Sequence, residues 1–176
     1  MERDEGSRHR RFGTILVLAL VLGVEETFAA EAAGSAEAAG ASALPAVVLR
    51  AVQDAAAKLS SPACQEVFSD FRDTEGNLLQ KKLDALEVSG ADYLGWARFF
   101  DGKGKSICES REILAATNPG SRVVFVCTAQ FSRVAHRERG LAAALIIHEQ
   151  LHSLGLGEGP PDSKAITAQV IARCGK

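Results

Sequence analysis

The 176-residue sequence lacks an excess of charge of either sign. Its 20 lysines and arginines nearly balance 22 aspartates and glutamates, which leaves a net charge of −2. A domain that binds nucleic acid usually carries a clearly basic surface, so this balance argues against nucleic acid as a partner. With 47% hydrophobic and 24% charged residues, the composition is that of an ordinary globular domain with a sizeable core.

Cysteines are few and widely spaced. The sequence has four, Cys64, Cys108, Cys127 and Cys174, and none of them stands in a C-x-x-C pattern. This scatter argues against zinc bound by cysteines, whereas an even number predicts two disulfides in an oxidising compartment. Three pairings are possible, and the sequence alone does not choose among them. We favour Cys108–Cys127, which are neighbours in sequence, and Cys64–Cys174, which would join the two ends of the domain.

A hydrophobic run long enough for a comfortable membrane span is also missing. The apolar run at residues 12–24 is too short for one. It follows a basic start and precedes a stretch of small residues, which is the order of a secretory signal peptide. We therefore predict a signal peptide over residues 1–29, with an uncleaved N-terminal anchor as the alternative. The protein is then expected to be secreted or periplasmic, with no stable membrane span after signal cleavage.

The rest of the chain divides into a short tail and one domain. Residues 30–43 are all alanine, glycine, serine or glutamate, which predicts a flexible segment. The domain over residues 44–176 is predicted to be α+β, with N-terminal helices, a short mixed sheet, an active-site helix and one C-terminal helix. The predicted helices are 45–59, 63–71, 78–88, 141–154 and 164–173, the predicted strands are 93–100 and 122–127, and residues 112–116 are predicted as a helical turn.

Histidines are scarce, but two of the four lie close together. They occur in the run His148-Glu149-Gln150-Leu151-His152, an H-E-x-x-H pattern on the predicted helix 141–154. Histidines four residues apart share one face of a helix, so both imidazoles can bind one zinc ion. Glu149 can then activate a zinc-bound water as a general base. The alternative is a pair of buried histidines that only hydrogen-bond to neighbours, with Glu149 as a surface charge.

A third zinc ligand is predicted just beyond the helix. Gly155 allows the chain to turn back, and Glu158 is the first ligand-type side chain after that turn. The full pattern is H-E-x-x-H-x-x-G-x-x-E, which predicts His148, His152 and Glu158 as the metal ligands. Asp162 is the next candidate, and His136 would have to come from before the helix.

This pattern resembles the zinc signature of the metzincins, H-E-x-x-H-x-x-G-x-x-H, with Glu158 at the last ligand position. The resemblance covers residues 148–158 and is metzincin-like only, because the methionine turn is missing: Met1 is the one methionine. It implies a small zincin-like core and zinc-dependent hydrolysis of peptide bonds in a peptide or protein substrate. It also implies that the strand 122–127 offers an edge to an extended peptide.

Two other classes of function remain open from the sequence. One is a non-catalytic exported binding module in which zinc only stabilises the fold, which the small size and the missing methionine turn favour. The other is a helical domain without metal. The number of protein ligands around the ion distinguishes a catalytic from a structural zinc site.

Overall fold

The computed structural model describes residues 44–175, so the predicted signal peptide 1–29 and segment 30–43 lie outside the described residues. Within that range the fold is α+β, as predicted. The helices are α1 Ala46–Leu59, α2 Pro62–Gln65, α3 Val67–Asp70, α4 Leu79–Leu86, α5 Gly90–Leu94, α6 Thr128–Arg137, α7 Arg139–Ser153 and α8 Ser163–Cys174. The strands are β1 Arg98–Asp101, β2 Ala115–Thr117 and β3 Val123–Val126, and a short 3₁₀ helix covers Ser106–Glu109.

The three strands form one mixed sheet in the order β1-β3-β2. Strand β3 is parallel to β1 and antiparallel to β2. Its valines explain the central position, because Val124 and Val126 are buried and β-branched side chains suit a packed strand. The expectation that residues 122–127 offer an edge is therefore wrong, since β3 has a strand on each side. In the described part of the chain, the sheet edges belong to β1 and β2.

Helix α7 is the centre of the core and carries the H-E-x-x-H pattern. Its alanines, isoleucines and Leu151 are buried on most of its circumference, as expected for a helix enclosed by other elements. It packs against α1, α6, α8 and β2. Small residues allow α1 and α7 to pack closely, because Ala51 and Ala55 of α1 are buried in the same cluster as Ala142 and Ala143 of α7. The predicted site is thus built on the most enclosed helix.

Two local predictions in the middle of the chain are wrong. The segment predicted as a strand at 93–100 begins with helix α5, because Ser89 and Asp92 form a capping box that starts a helix there. Only its last part, from Arg98, is extended. The predicted helical turn at 112–116 instead leads into strand β2, which pairs with β3 from Ala115 onward.

Both favoured disulfides are confirmed. Cys64–Cys174 joins α2 to the end of α8, and Cys108–Cys127 joins the 3₁₀ helix to the residue before α6. No free cysteine is left within residues 44–175. Over the same residues, no helix combines the length and apolarity that crossing a membrane requires.

Candidate metal centre

The two histidines of α7 point the same ring nitrogen at one spot. His148 Nε2 and His152 Nε2 are 2.9 Å apart, as the four-residue spacing predicts. Both residues are buried, with 3% and 5% of their surface exposed. Burying two imidazoles this close together is unfavourable unless their polar atoms have partners, so each ring needs an explanation.

The outer nitrogen of each ring has such a partner. His152 Nδ1 donates a hydrogen bond to the carbonyl oxygen of Leu156 at 2.7 Å. Because a carbonyl only accepts, the proton of the neutral ring sits on Nδ1 and leaves a lone pair on Nε2. His148 Nδ1 shares a hydrogen bond of 2.9 Å with Thr167 Oγ1 of helix α8. Outer contacts of this kind orient histidines that bind metals.

Glu158 completes the group that the sequence predicts. Its Oε1 lies 3.2 Å from His152 Nε2 and 3.6 Å from His148 Nε2. The side chain is half-exposed, so it forms the open side of an otherwise buried centre. Gly155 makes the return possible, because its φ of +106° lies in the left-handed region that favours glycine. His148, His152 and Glu158 are therefore brought together as predicted.

The two other ligand candidates lie elsewhere. Asp162 caps helix α8, where its carboxylate accepts a hydrogen bond from Ala165 N. His136 is exposed on the last turn of α6. Neither belongs to the group of possible ligands formed by His148, His152 and Glu158.

The separations between the three ligand atoms fit zinc. In a tetrahedral site with bonds of about 2.0–2.1 Å, neighbouring ligand atoms lie about 3.3 Å apart. The three distances here, 2.9, 3.2 and 3.6 Å, bracket that value. Two imidazoles and one carboxylate are also a donor set that zinc accepts in hydrolases. Within residues 44–175 no fourth His, Cys, Asp or Glu joins them, so a zinc ion held by these three would have room for a water molecule.

Glu149 follows His148 and lies close enough to Glu158 to respond to its charge, but it is not paired. Its Oε2 and Thr117 Oγ1 of strand β2 are both buried and make no hydrogen bond. Burial raises the pKa of Glu149 to about 7, and the negative charge of Glu158 adds to the rise. The Thr117 hydroxyl lies near enough to oppose the rise in pKa, although its geometry falls short of a hydrogen bond. An unpartnered buried carboxyl group needs an explanation, and a reacting water is one.

Burial has the opposite effect on His148. Loss of solvent, and then the neighbouring His152, lower the pKa of His148 to about 4, while Glu158 acts in the other direction. The ring is therefore neutral near pH 7. A neutral imidazole is the form that binds a metal, because its free nitrogen keeps a lone pair.

Three residues of the centre were not predicted from the sequence. Thr117, Leu156 and Thr167 contact Glu149, His152 and His148, respectively. Leu156 acts through its backbone carbonyl, so its side chain carries no signal. The threonines come from elements that reach α7 only in the folded chain.

Comparisons with protein-family models, with curated proteins and with solved structures yield no match for this chain. The geometry of the metal centre is therefore the basis on which its function is inferred.

Proposed function

We propose that the protein is an exported zinc metallopeptidase in which His148, His152 and Glu158 bind zinc and Glu149 is the general base. One observation carries the proposal. Glu149 follows His148 in α7 and lies close enough to Glu158 to respond to its charge, and its buried Oε2 has no hydrogen-bond partner. The atoms of His148, His152 and Glu158 meanwhile converge with a spacing that suits zinc. A metal site that only stabilises a fold has four protein ligands and needs no such acid.

Zinc, when bound, supplies a Lewis acid that polarises the peptide carbonyl and makes a water molecule more acidic. The chain supplies the proton transfers. Glu149 Oε2 accepts a proton from the water whose oxygen attacks the carbonyl carbon. The same carboxyl group then donates the proton to the nitrogen as the C–N bond breaks, so the products are a carboxylic acid and an amine.

The environment of Glu149 suits this exchange. A general acid–base group works best when its pKa lies near the working pH, and burial raises the pKa of Glu149 to about 7 in the metal-free protein. A divalent cation beside it favours the ionised form, which is the one that accepts a proton. In the metal-free protein near pH 7, the two protonation states of Glu149 therefore differ little in free energy.

Strand β2 supports an extended substrate beside the centre. Thr117, its last residue, lies against Glu149. Within the described residues β2 pairs only with β3, so its other edge has backbone groups without a strand partner. An extended peptide can hydrogen-bond to such an edge by strand addition. We therefore propose β2 as the strand that binds the substrate, in place of the strand 122–127 that the sequence suggested.

Export is the part of the proposal that the two disulfides support. Disulfides persist in oxidising compartments and are rare in the cytosol. Cys64–Cys174 and Cys108–Cys127 thus agree with a secreted or periplasmic protein.

The test is a Glu149→Gln variant assayed for bound zinc and for peptide hydrolysis. Glutamine keeps the shape of the side chain but cannot accept and return the proton, so we expect one zinc per chain and a loss of hydrolysis of at least ~100-fold. Glu112→Gln is the matched control, because Glu112 is exposed and outside the centre. Undiminished hydrolysis in Glu149→Gln would exclude Glu149 as the base.

A second variant tests the ligand set. Glu158→Ala removes one of three ligand atoms, so the zinc affinity should fall. Wild-type affinity in this variant would remove Glu158 from the ligands. Stoichiometric zinc with no hydrolysis of any peptide by the wild type would favour the non-catalytic binding module, and a wild type without zinc would favour the metal-free domain.

A further inference from the structure

We propose that Asp73 is a positioning residue of the metal centre, and that the loop Asp73–Asn77 holds the turn Gly155–Gly157 from which His152 and Glu158 are oriented. The inference rests on the zinc site proposed above and adds a residue far from it in sequence. Asp73 and Glu158 belong to different parts of the chain, and no zinc-binding pattern includes Asp73.

Asp73 has more fixed contacts than a surface carboxylate. Only 6% of the residue is exposed. Its Oδ1 accepts hydrogen bonds from the backbone nitrogens of Glu75 at 2.9 Å and Asn77 at 2.8 Å, and its Oδ2 lies 2.9 Å from Lys82 Nζ. A buried carboxylate is tolerated only with such partners, and here they fix the loop as well as the charge. The backbone bond from Asp73 N to Asn77 O, at 2.8 Å, closes the loop.

The loop packs directly on the turn after α7. Thr74 N donates a hydrogen bond of 3.1 Å to the carbonyl oxygen of Gly155. A Cβ atom on Gly155 would lie 2.9 Å from Lys82 Nζ and 3.2 Å from the Cβ of Asp73. At Gly157 it would lie 3.2 Å from Thr74 Cγ2. Both glycines thus serve a close approach between the loop and the turn.

The turn Gly155–Gly157 orients two of the proposed metal ligands, His152 and Glu158. The carbonyl of Leu156, between the two glycines, accepts the hydrogen bond of His152 Nδ1 at 2.7 Å. Glu158 follows Gly157 immediately and is half-exposed, so few contacts of its own side chain hold it. Contacts that hold Gly155–Gly157 in place therefore also hold the ring of His152 and the backbone from which the Glu158 side chain extends.

Asp73 acts through the turn and does not touch the ligand atoms. Two other aspartates form ion pairs between elements. Asp54 pairs with Arg139 at the start of α7, and Asp70 pairs with Arg173 of α8. Asp54 offers a matched control, because its ion pair also ties a neighbouring element to α7 but at the end away from the metal.

The experiment measures zinc dissociation constants for wild type, Asp73→Asn and Asp54→Asn by chelator competition. Cobalt(II) replaces zinc in a parallel set, because its visible absorption reports the coordination geometry. All proteins are measured at a temperature where circular dichroism shows them folded. We expect Asp73→Asn to weaken zinc binding about 10- to 100-fold and to change the cobalt spectrum. Asp54→Asn should match the wild type in both.

Lys82→Met is a second variant in case Asp73→Asn fails to fold. It removes the cation that pairs with Asp73 but keeps the length of the side chain, and weaker zinc binding with an altered cobalt spectrum is expected again. If the wild type binds zinc while both variants keep its affinity and spectrum, the role of Asp73 is excluded and the zinc site stands. An equal loss of affinity in Asp54→Asn would also exclude it. Absence of zinc from the wild type would overturn both proposals.

Discussion

Burial displaces the pKa values of two adjacent residues of α7 in opposite directions. It raises the pKa of Glu149 to about 7 and lowers the pKa of His148 to about 4. The stabilising contribution of Glu149 is present below about pH 4.5, its unfolded pKa, and is lost as the pH rises through 7. That of His148 is present above about pH 6.5 and is lost as the pH falls through 4. In the metal-free protein the two trends oppose each other over nearly the same range.

Replacing Glu149 should separate its effect on the pH dependence of stability from that of His148. In metal-free protein we expect Glu149→Gln to gain stability over the wild type as the pH rises from about 4.5 to about 7, because glutamine cannot ionise in the buried site. Urea denaturation between pH 4 and 8, with a chelator present, measures the difference in free energy of unfolding. A difference that does not vary with pH would contradict the assignment of the raised pKa to Glu149.

Only some of the residues in and around the proposed metal centre could be predicted from the sequence. His148, Glu149, His152 and Glu158 were predicted because one helix and one tight turn fix their spacing, so local geometry suffices. Asp73, Thr117 and Thr167 were not, because they come from other elements. Thr167 lies in the predicted helix 164–173, Thr117 follows a segment predicted as a helical turn, and Asp73 belongs to no predicted element. Only tertiary packing gives these residues a contact with α7 or its turn.

Among the elements, the turn after α7 is the one with least tolerance for change. Gly155 has φ +106°, and a Cβ atom there would press on Lys82 and Asp73. We expect Gly155→Ala to lower the free energy of unfolding by ~1–3 kcal/mol and also to weaken zinc binding, because the turn carries the carbonyl that holds His152. Thermal denaturation and chelator competition measure the two effects.

Gly104→Ala is the control for this prediction. Gly104 also has a positive φ, +79°, but a Cβ atom there would meet nothing within 4 Å. The variant should show the cost of backbone strain, ~1–2 kcal/mol, without any loss of zinc affinity. If Gly155→Ala kept wild-type zinc affinity, the turn would not be what positions the ligands.

The helices could be predicted better than the sheet. α1, α7 and α8 have regular apolar spacing over several turns. Pro45 and Asp162 cap the starts of α1 and α8, and Gly155 follows the C-cap of α7. The sheet has three very short strands, and β2, Ala-Ala-Thr, has no run of β-branched or aromatic residues. Its pairing with β3 depends on long-range hydrogen bonds. The segment at Tyr93 was mispredicted for a different reason. Its aromatic residues suggested a strand, although the capping residues Ser89 and Asp92 start a helix.

For the whole molecule, the disulfides close loops of very different length. Cys64–Cys174 spans 110 residues and Cys108–Cys127 spans 19. A cross-link restricts the unfolded chain more when its loop is longer, so we expect Cys64→Ser/Cys174→Ser to cost ~4–5 kcal/mol of stability and Cys108→Ser/Cys127→Ser ~3 kcal/mol. Guanidinium denaturation of the two double variants checks the order. A larger loss from the short loop would contradict it.

The long loop also bears on the metal centre. α8 carries both Cys174 and Thr167, whose hydroxyl contacts His148 Nδ1. Asp70 adds a second link to α8, because Arg173 donates hydrogen bonds to it at 2.6 and 2.7 Å. Elements from before and after α7 are thus fastened together around it.

The unequal exposure of the three proposed ligands means that the metal centre is open to solvent on one side only. His148 and His152 lie inside the protein, whereas the side chain of Glu158 is 52% exposed. An ion, a chelator or an inhibitor with a metal-binding group must therefore arrive on the side of the carboxylate, because the other sides are closed by α7, α8 and the turn. In the proposed zinc site, the ion would therefore enter and leave past Glu158. Substitutions at Glu158 are therefore expected to change the rate of zinc exchange as well as the affinity.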